Sequence, residues 1–158
     1  MTREDARPAA LQFGFWGAVT HVLHDRTDLG PVDFAALRRR PSGNDALICP
    51  PGFCAGATSD ASAPVFRLSP DALDARLAAM ARADVKVEEL PDSAPLHRRF
   101  VQRTSLLGYP DLIDAVVLPS GPDGATLALY SRSLVGRKDF GVNGARVRRW
   151  LAALNAAG

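Results

Sequence analysis

Residues 112–135, "LIDAVVLPSGPDGATLALYSRSLV", constrain the fold more than any other part of the chain. Two β-prone runs, 112–119 and 125–135, are separated only by the turn cluster "PSGPDG" at 119–124. In the second run Leu127 and Leu129 alternate with Ala128 and Tyr130, which is the period of a strand. A connection this short cannot cross over to a parallel partner, so the two runs pair antiparallel. "VKVEEL" (85–90) and "RFVQRTSLL" (99–107) precede them with short connections and extend the pairing to a meander of three to four strands.

A helix is expected on either side of this meander. Ser69 is placed as an N-cap, Pro70 as the first helical residue and Asp71 beside the positive end of the dipole. Leu73, Leu77 and Met80 then repeat with helical spacing, which predicts a helix over about 70–83. Val147, Trp150, Leu151 and Leu154 form a second such stripe, which predicts a closing helix over 143–156. The resulting class is α+β: a curved antiparallel sheet with two helices packed on one face, occupying residues 64–158 as a single globular unit.

Residues 1–63 read differently. "HDRTDLGP", "RRRPSGND" and "CPPGFCAGATSDASAP" are dense in turn formers and lack periodicity. They predict a long irregular arm, with a short turn of helix at Val32–Arg39. Ahead of it, Pro8 to Leu23 is apolar and aromatic but is interrupted by Gln12, Thr20 and His21. That is shorter than the ~20 apolar residues of a spanning helix, and no small-residue cleavage site marks it as a signal peptide. Phe13, Phe15 and Trp16 are the residues expected to meet a membrane surface or a partner, the other reading being a helix or arm laid over the protein's own core.

Charge is uneven along the chain. The formal net charge is +2, but residues 1–96 hold 10 Lys/Arg against 13 Asp/Glu, and residues 97–158 hold 9 against 4. A basic second half suits an anionic ligand, a lipid headgroup or an acidic partner, or is a solvated arginine face. The net charge does not suggest nucleic acid as a partner.

The chemistry-bearing residues are sparse. Cys49 and Cys54 form a C-x4-C pair around a Pro-Pro-Gly turn, and His21, His24 and His97 show no ligand spacing to them. Two cysteines do not complete a structural zinc site, so the pair reads as a disulfide, the other readings being two unpaired structural thiols or a redox or metal-binding pair, and no metal site is expected. No G-x-S-x-G, Walker lysine or dinucleotide fingerprint occurs, and no catalytic residues or cofactor are expected. A minority hydrolase reading would need Asp111, Asp114 or Asp139 to meet across strands.

The most ordered stretch is "SRSLVGRKDFGVNGARVRRWL", residues 131–151. Ser131, Ser133, Gly136, Asp139, Gly141, Asn143 and Arg146 stand in a Ser-x-Ser-x-x-Gly-x-x-Asp-x-Gly-x-Asn-x-x-Arg run. This resembles the signature of the bacterial and plant family known as domain of unknown function 1499. "CPPGFC" and "QRTSLLGYPDLIDAVVL" are also similar to family segments, and the resemblance spans about residues 44–155. Many members resemble envelope proteins with one N-terminal hydrophobic anchor, which implies association with the periplasmic side of a bacterial envelope; a cytoplasmic location is the alternative.

Physical chemistry offers two uses for the motif. As a clamp, Gly136 and Gly141 permit positive φ at the turn, Asp139 or Asn143 caps the closing helix, and Ser131 and Ser133 share one strand face with Arg132 on the other. As an anion site, Arg103, Ser131, Ser133, Arg137, Lys138 and Asn143 would surround a helix N-terminus. The functional expectation is a non-catalytic accessory or scaffold module at a membrane surface. The alternative is a domain that binds a small anionic ligand or lipid through the sheet's free face and the Gly136–Asn143 turn.

Overall fold

The computed structural model describes residues 30–103, 108–136, 138 and 140–156. Among these, six strands form one mixed sheet: β1 Asp45–Cys49, β2 Ala61–Ser62, β3 Val87–Glu89, β4 His97–Arg103, β5 Pro110–Pro119 and β6 Ala125–Ser133. Two helices accompany them, α1 Pro70–Ala83 and α2 Val142–Ala156. The class is α+β, as the patterning indicates. The strand order is β2-β1-β6-β5-β4-β3, so β3 to β6 are an antiparallel meander. β1 joins the far side of β6 antiparallel, and the two-residue β2 pairs with β1 in parallel.

β1 and β2 enlarge the expected sheet from three or four strands to six, and both come from the stretch read as an irregular arm. The packed unit therefore begins before residue 64. β1 is buried at Ala46, Leu47, Ile48 and Cys49, hence on both faces, so its apolar residues run together instead of alternating. The expected turn of helix at Val32–Arg39 is also absent. That segment is laid over the rear of the sheet and buries Phe34 and Leu37 against Leu47, Ala128 and Tyr130. Each of those rings or chains contributes ~1.5–3 kcal/mol by leaving water, which repeated single-turn hydrogen bonds would not supply.

Both helices lie on the front face. Ser69 caps α1, its hydroxyl accepting from the Ala72 N–H at 3.2 Å, and Pro70 opens the first turn. Leu73, Leu77 and Ala81 of α1 and Val147, Trp150 and Leu154 of α2 pack on Ile48, Phe100, Ile113, Ala115, Leu127 and Leu129. Phe100 and Trp150 meet edge to face with centroids 5.7 Å apart.

Each helix is also tied to the sheet by an arginine–aspartate pair, with the charges exchanged between the two. α1 supplies Asp74 to Arg98 of β4, at 2.9 and 2.6 Å. α2 supplies Arg146 to Asp111 of β5. No helix among the described residues is long and apolar enough to cross a membrane. Phe13, Phe15 and Trp16 lie outside the described residues.

Candidate functional site

The motif residues converge on the front face, at the end of the sheet beneath the first turns of α2. Alternation along β6 sends Ser131 and Ser133 to this face and Arg132 to the rear. Cross-strand register sets Gln102 opposite Asp111 and Asp111 opposite Ser133, forming a polar row across β4, β5 and β6. Chain reversal between β6 and α2 uses Gly136 at φ 90° and Gly141 at φ 81°, a region that a side chain would strain. That reversal delivers Asn143 and Arg146, one helical turn apart, onto the row.

Arg146 occupies the centre. Its Nη2 donates to Asp111 Oδ2 at 2.7 Å, and its Nη1 donates to Ser131 Oγ and Asn143 Oδ1, both at 2.7 Å. Its Nε donates to Gln102 Oε1. Ser131 Oγ donates to Asn143 Oδ1 at 2.6 Å, and Ser133 Oγ donates to Asp111 Oδ1. Asn143 Nδ2 donates to the Asn44 carbonyl at 3.1 Å, which also accepts the Ser133 N–H. Asn44 in turn donates through Nδ2 to the Gly136 carbonyl at 2.9 Å. Asn44, Asp111, Ser131, Ser133, Asn143 and Arg146 are all buried.

This arrangement is a clamp. Every N–H-bearing nitrogen of the Arg146 guanidinium has an acceptor and one buried carboxylate balances its charge, which is what burial of a charge requires. The two serine hydroxyls are buried and donate into the cluster, Ser131 to Asn143 and Ser133 to Asp111. Asn143 sits inside α2, and its amide joins the helix to the β6 serines and to the segment before β1.

Of the residues grouped as an anion site, Ser131, Ser133 and Asn143 come together in the clamp, and Arg103 does not join them. Arg103 follows Gln102 on β4, and alternation puts it on the rear face, away from Ser131 and Asn143. Lys138 is exposed, and Arg137 and Asp139 lie outside the described residues. Asp111 and Asp114 do not meet across strands either, because they occupy opposite faces of β5 and each is held by arginine. Among the described residues no group of three or more His, Cys, Asp or Glu side chains is arranged to hold a metal ion.

The rear face carries a second polar system that the motif did not announce. Asp114 accepts from Arg99 Nε at 2.9 Å, Arg132 Nη1 at 3.1 Å and the Val32 N–H at 3.2 Å. Arg99 also bonds Asp92. The Tyr130 hydroxyl donates to Asp45 Oδ2 at 2.7 Å, and burial together with that carboxylate pushes its pKa well above the usual phenol value. Arg39 joins Asp45 at 2.7 Å and Asp60 at 2.8 Å. Beside them Cys49 and Cys54 are joined in a disulfide, buried against the same apolar cluster.

Fold and site together define a small single-sheet α+β domain whose signature closes on itself in the interior. The chain belongs to the family described as protein of unknown function (DUF1499), whose model matches residues 45–154. The match begins at the first residue of β1 and ends in α2, so it covers the whole sheet. No curated protein and no solved structure matches the chain.

Three clamp members stand outside the motif: Asp111, Gln102 and Asn44. Gln102 lay in a strand correctly expected but carried no motif. Asn44 stood in "PSGND", where an asparagine beside glycine reads as a turn former. The short apolar run "ALIC" that follows it was the available signal for a buried strand.

Proposed function

We propose that the chain is a non-catalytic accessory or scaffold module that works at a membrane surface, on the oxidising, periplasmic side of a bacterial envelope. The observation that carries this reading is Phe140, which is 95% exposed on the loop between β6 and α2. Val142, also exposed, and the exposed Lys138 flank it. An aromatic ring held in water beside a cation suits the headgroup boundary of a bilayer, where the ring leaves water and the ammonium meets lipid phosphate. The clamp supports both ends of that loop, because Ser131 and Ser133 fix β6 while Asn143 and Arg146 fix α2. The Cys49–Cys54 disulfide supports the oxidising compartment.

Flotation of the full chain with anionic and zwitterionic vesicles tests the reading. Wild type is expected to float with anionic vesicles, and Phe140→Ser to lose most of that binding with an unchanged melting temperature. Equal flotation of the two proteins, or none by either, would remove the membrane-surface assignment. Isolation from native membranes in mild detergent, with and without residues 1–24, tests the scaffold role. A stoichiometric partner lost on truncation supports it.

A further inference from the structure

We infer that the groove between residues 30–40 and the rear of the sheet is a binding site for a small phosphate-bearing anion. The groove has a volume of about 310 Å³ and is lined by Val32, Leu37, Arg38, Arg40, Tyr130 and Arg132, among others. That volume lies at the small end of ligand cavities. Its lining combines apolar residues with three arginines.

The charge arrangement is built, not scattered. Arg132 is buried, and its guanidinium is stationed 5.3 Å from the Tyr130 ring centroid, while Nη1 is held by Asp114. Asp114 is the sole side-chain acceptor of Arg132 among the described residues, and it is shared with Arg99. Arg99 has Asp92 as a second carboxylate, so Asp114 serves chiefly to hold the Arg132 guanidinium at the groove floor.

The rim adds to it. In the run Arg38, Arg39, Arg40, the middle residue is drawn to Asp45 and Asp60 and its neighbours line the groove. Both neighbours are exposed and make no ion pair among the described residues. Asp33 is the one acidic lining residue, and its Oδ1 is already taken by the N–H groups of Ala35 and Ala36 at 3.0 and 3.3 Å. Arg38, Arg40 and Arg132 therefore line one small volume, with Asp114 paired to Arg132 and Asp33 engaged by backbone N–H groups. Guanidinium presents paired N–H donors that match phosphate oxygens, and an anion relieves the mutual repulsion of the three.

The shared chemistry is a phosphate ester, supplied by a soluble molecule or by a lipid headgroup. The full chain is titrated with glycerol 3-phosphate and with inorganic phosphate at constant ionic strength, and with phosphatidylglycerol and phosphatidylcholine vesicles. Melting temperature and two-dimensional NMR shifts are the readouts. The expected result is a concentration-dependent rise in melting temperature with glycerol 3-phosphate, because only a native-state binder stabilises by mass action. Arg38→Gln/Arg40→Gln should weaken binding at least tenfold while its ligand-free melting temperature stays close to wild type. Arg132→Lys, which keeps the charge and loses the fork, should weaken it as well.

A response to phosphatidylglycerol vesicles that persists in Phe140→Ser and disappears in Arg38→Gln/Arg40→Gln would name the lipid headgroup as the source. The proposal is overturned if none of the phosphate probes shifts wild type relative to chloride. It is equally overturned if Arg38→Gln/Arg40→Gln responds like wild type, or if Lys138→Gln abolishes the response, which would put the site at the β6–α2 turn. Vesicle flotation that depends on Phe140 but not on these arginines would leave the membrane reading standing and this one refuted.

Discussion

Arg146 and Asp111 are 35 residues apart in sequence and meet inside the protein, Nη2 to Oδ2, at 2.7 Å. Strand register sets Asp111 beside Ser133, and the β6–α2 reversal lowers Arg146 onto both. A buried guanidinium needs an opposite charge and acceptors for each N–H, and the clamp supplies the carboxylate, a serine, an asparagine and a glutamine. Helix, sheet and the segment before β1 are thereby held at one point.

Removing one partner leaves the other charged and buried. Arg146→Met and Asp111→Leu should each destabilise the protein by about 3–5 kcal/mol in urea unfolding. The double variant should cost clearly less than the two singles combined, because it removes both charges. Additive losses would show that the pair is not energetically coupled.

Trp150 is 2% exposed, packs edge to face on Phe100 and donates from Nε1 to Asp84 Oδ2 at 2.7 Å. Trp150→Ala should cost about 3–5 kcal/mol through the cavity it leaves. Trp150→Phe keeps much of the ring volume and drops the hydrogen bond, so about 1–3 kcal/mol is expected. A melting temperature unchanged by Trp150→Ala would contradict the packing of α2.

The Cys49–Cys54 disulfide closes a loop with a sequence separation of 5. Loop closure this short limits its effect on the unfolded chain to about 2 kcal/mol. Denaturing alkylation of isolated protein, read by intact mass, should give no label without reductant and two labels with it. Cys49→Ser/Cys54→Ser should fold, with a lower urea midpoint. Two labels without reductant would argue for a reducing compartment and against the envelope assignment.

Acid should weaken the α1–α2 contact. Burial pushes the Asp84 carboxyl up, but hydrogen bonds from Trp150, Arg149 and the Val85 N–H together outweigh it and hold it below the usual carboxylate range. Its folded pKa is therefore lower than its unfolded value of about 3.9. The stabilisation is fully present above that unfolded value and is lost as pH falls through the folded one. Urea midpoints should drop more steeply below about pH 4 in wild type than in Asp84→Asn. Parallel acid limbs for the two proteins would refute the assignment.

Much of the architecture was legible in the chain because its causes are local. Ser69 followed by Pro70 starts a helix by capping chemistry, and the helix runs to Ala83 as its apolar spacing indicated. The turn at 119–124 forces β5 and β6 into a hairpin, and the stripe of Val147, Trp150 and Leu154 marks the buried side of α2. β1 escaped notice because a strand buried on both faces shows no alternation. The Val32–Arg39 segment is not helical because Phe34 and Leu37 are buried against the rear of the sheet, a contact made by residues distant in sequence.

By itself the sequence determined the class, the helices, the meander and the closeness of Cys49 to Cys54, since each depends on periodicity, caps or turns within a few residues. It also marked the residues of the clamp that belong to one continuous motif. Only the tertiary structure decided that Arg103 and Ser131 lie on opposite faces, that Asp111 and Asn44 complete the clamp, and that Arg132 joins Arg38 and Arg40 at the rear groove. Those juxtapositions depend on strand register and on which segment covers which face, and they are settled by the burial of the whole core at once, not by any short stretch of chain.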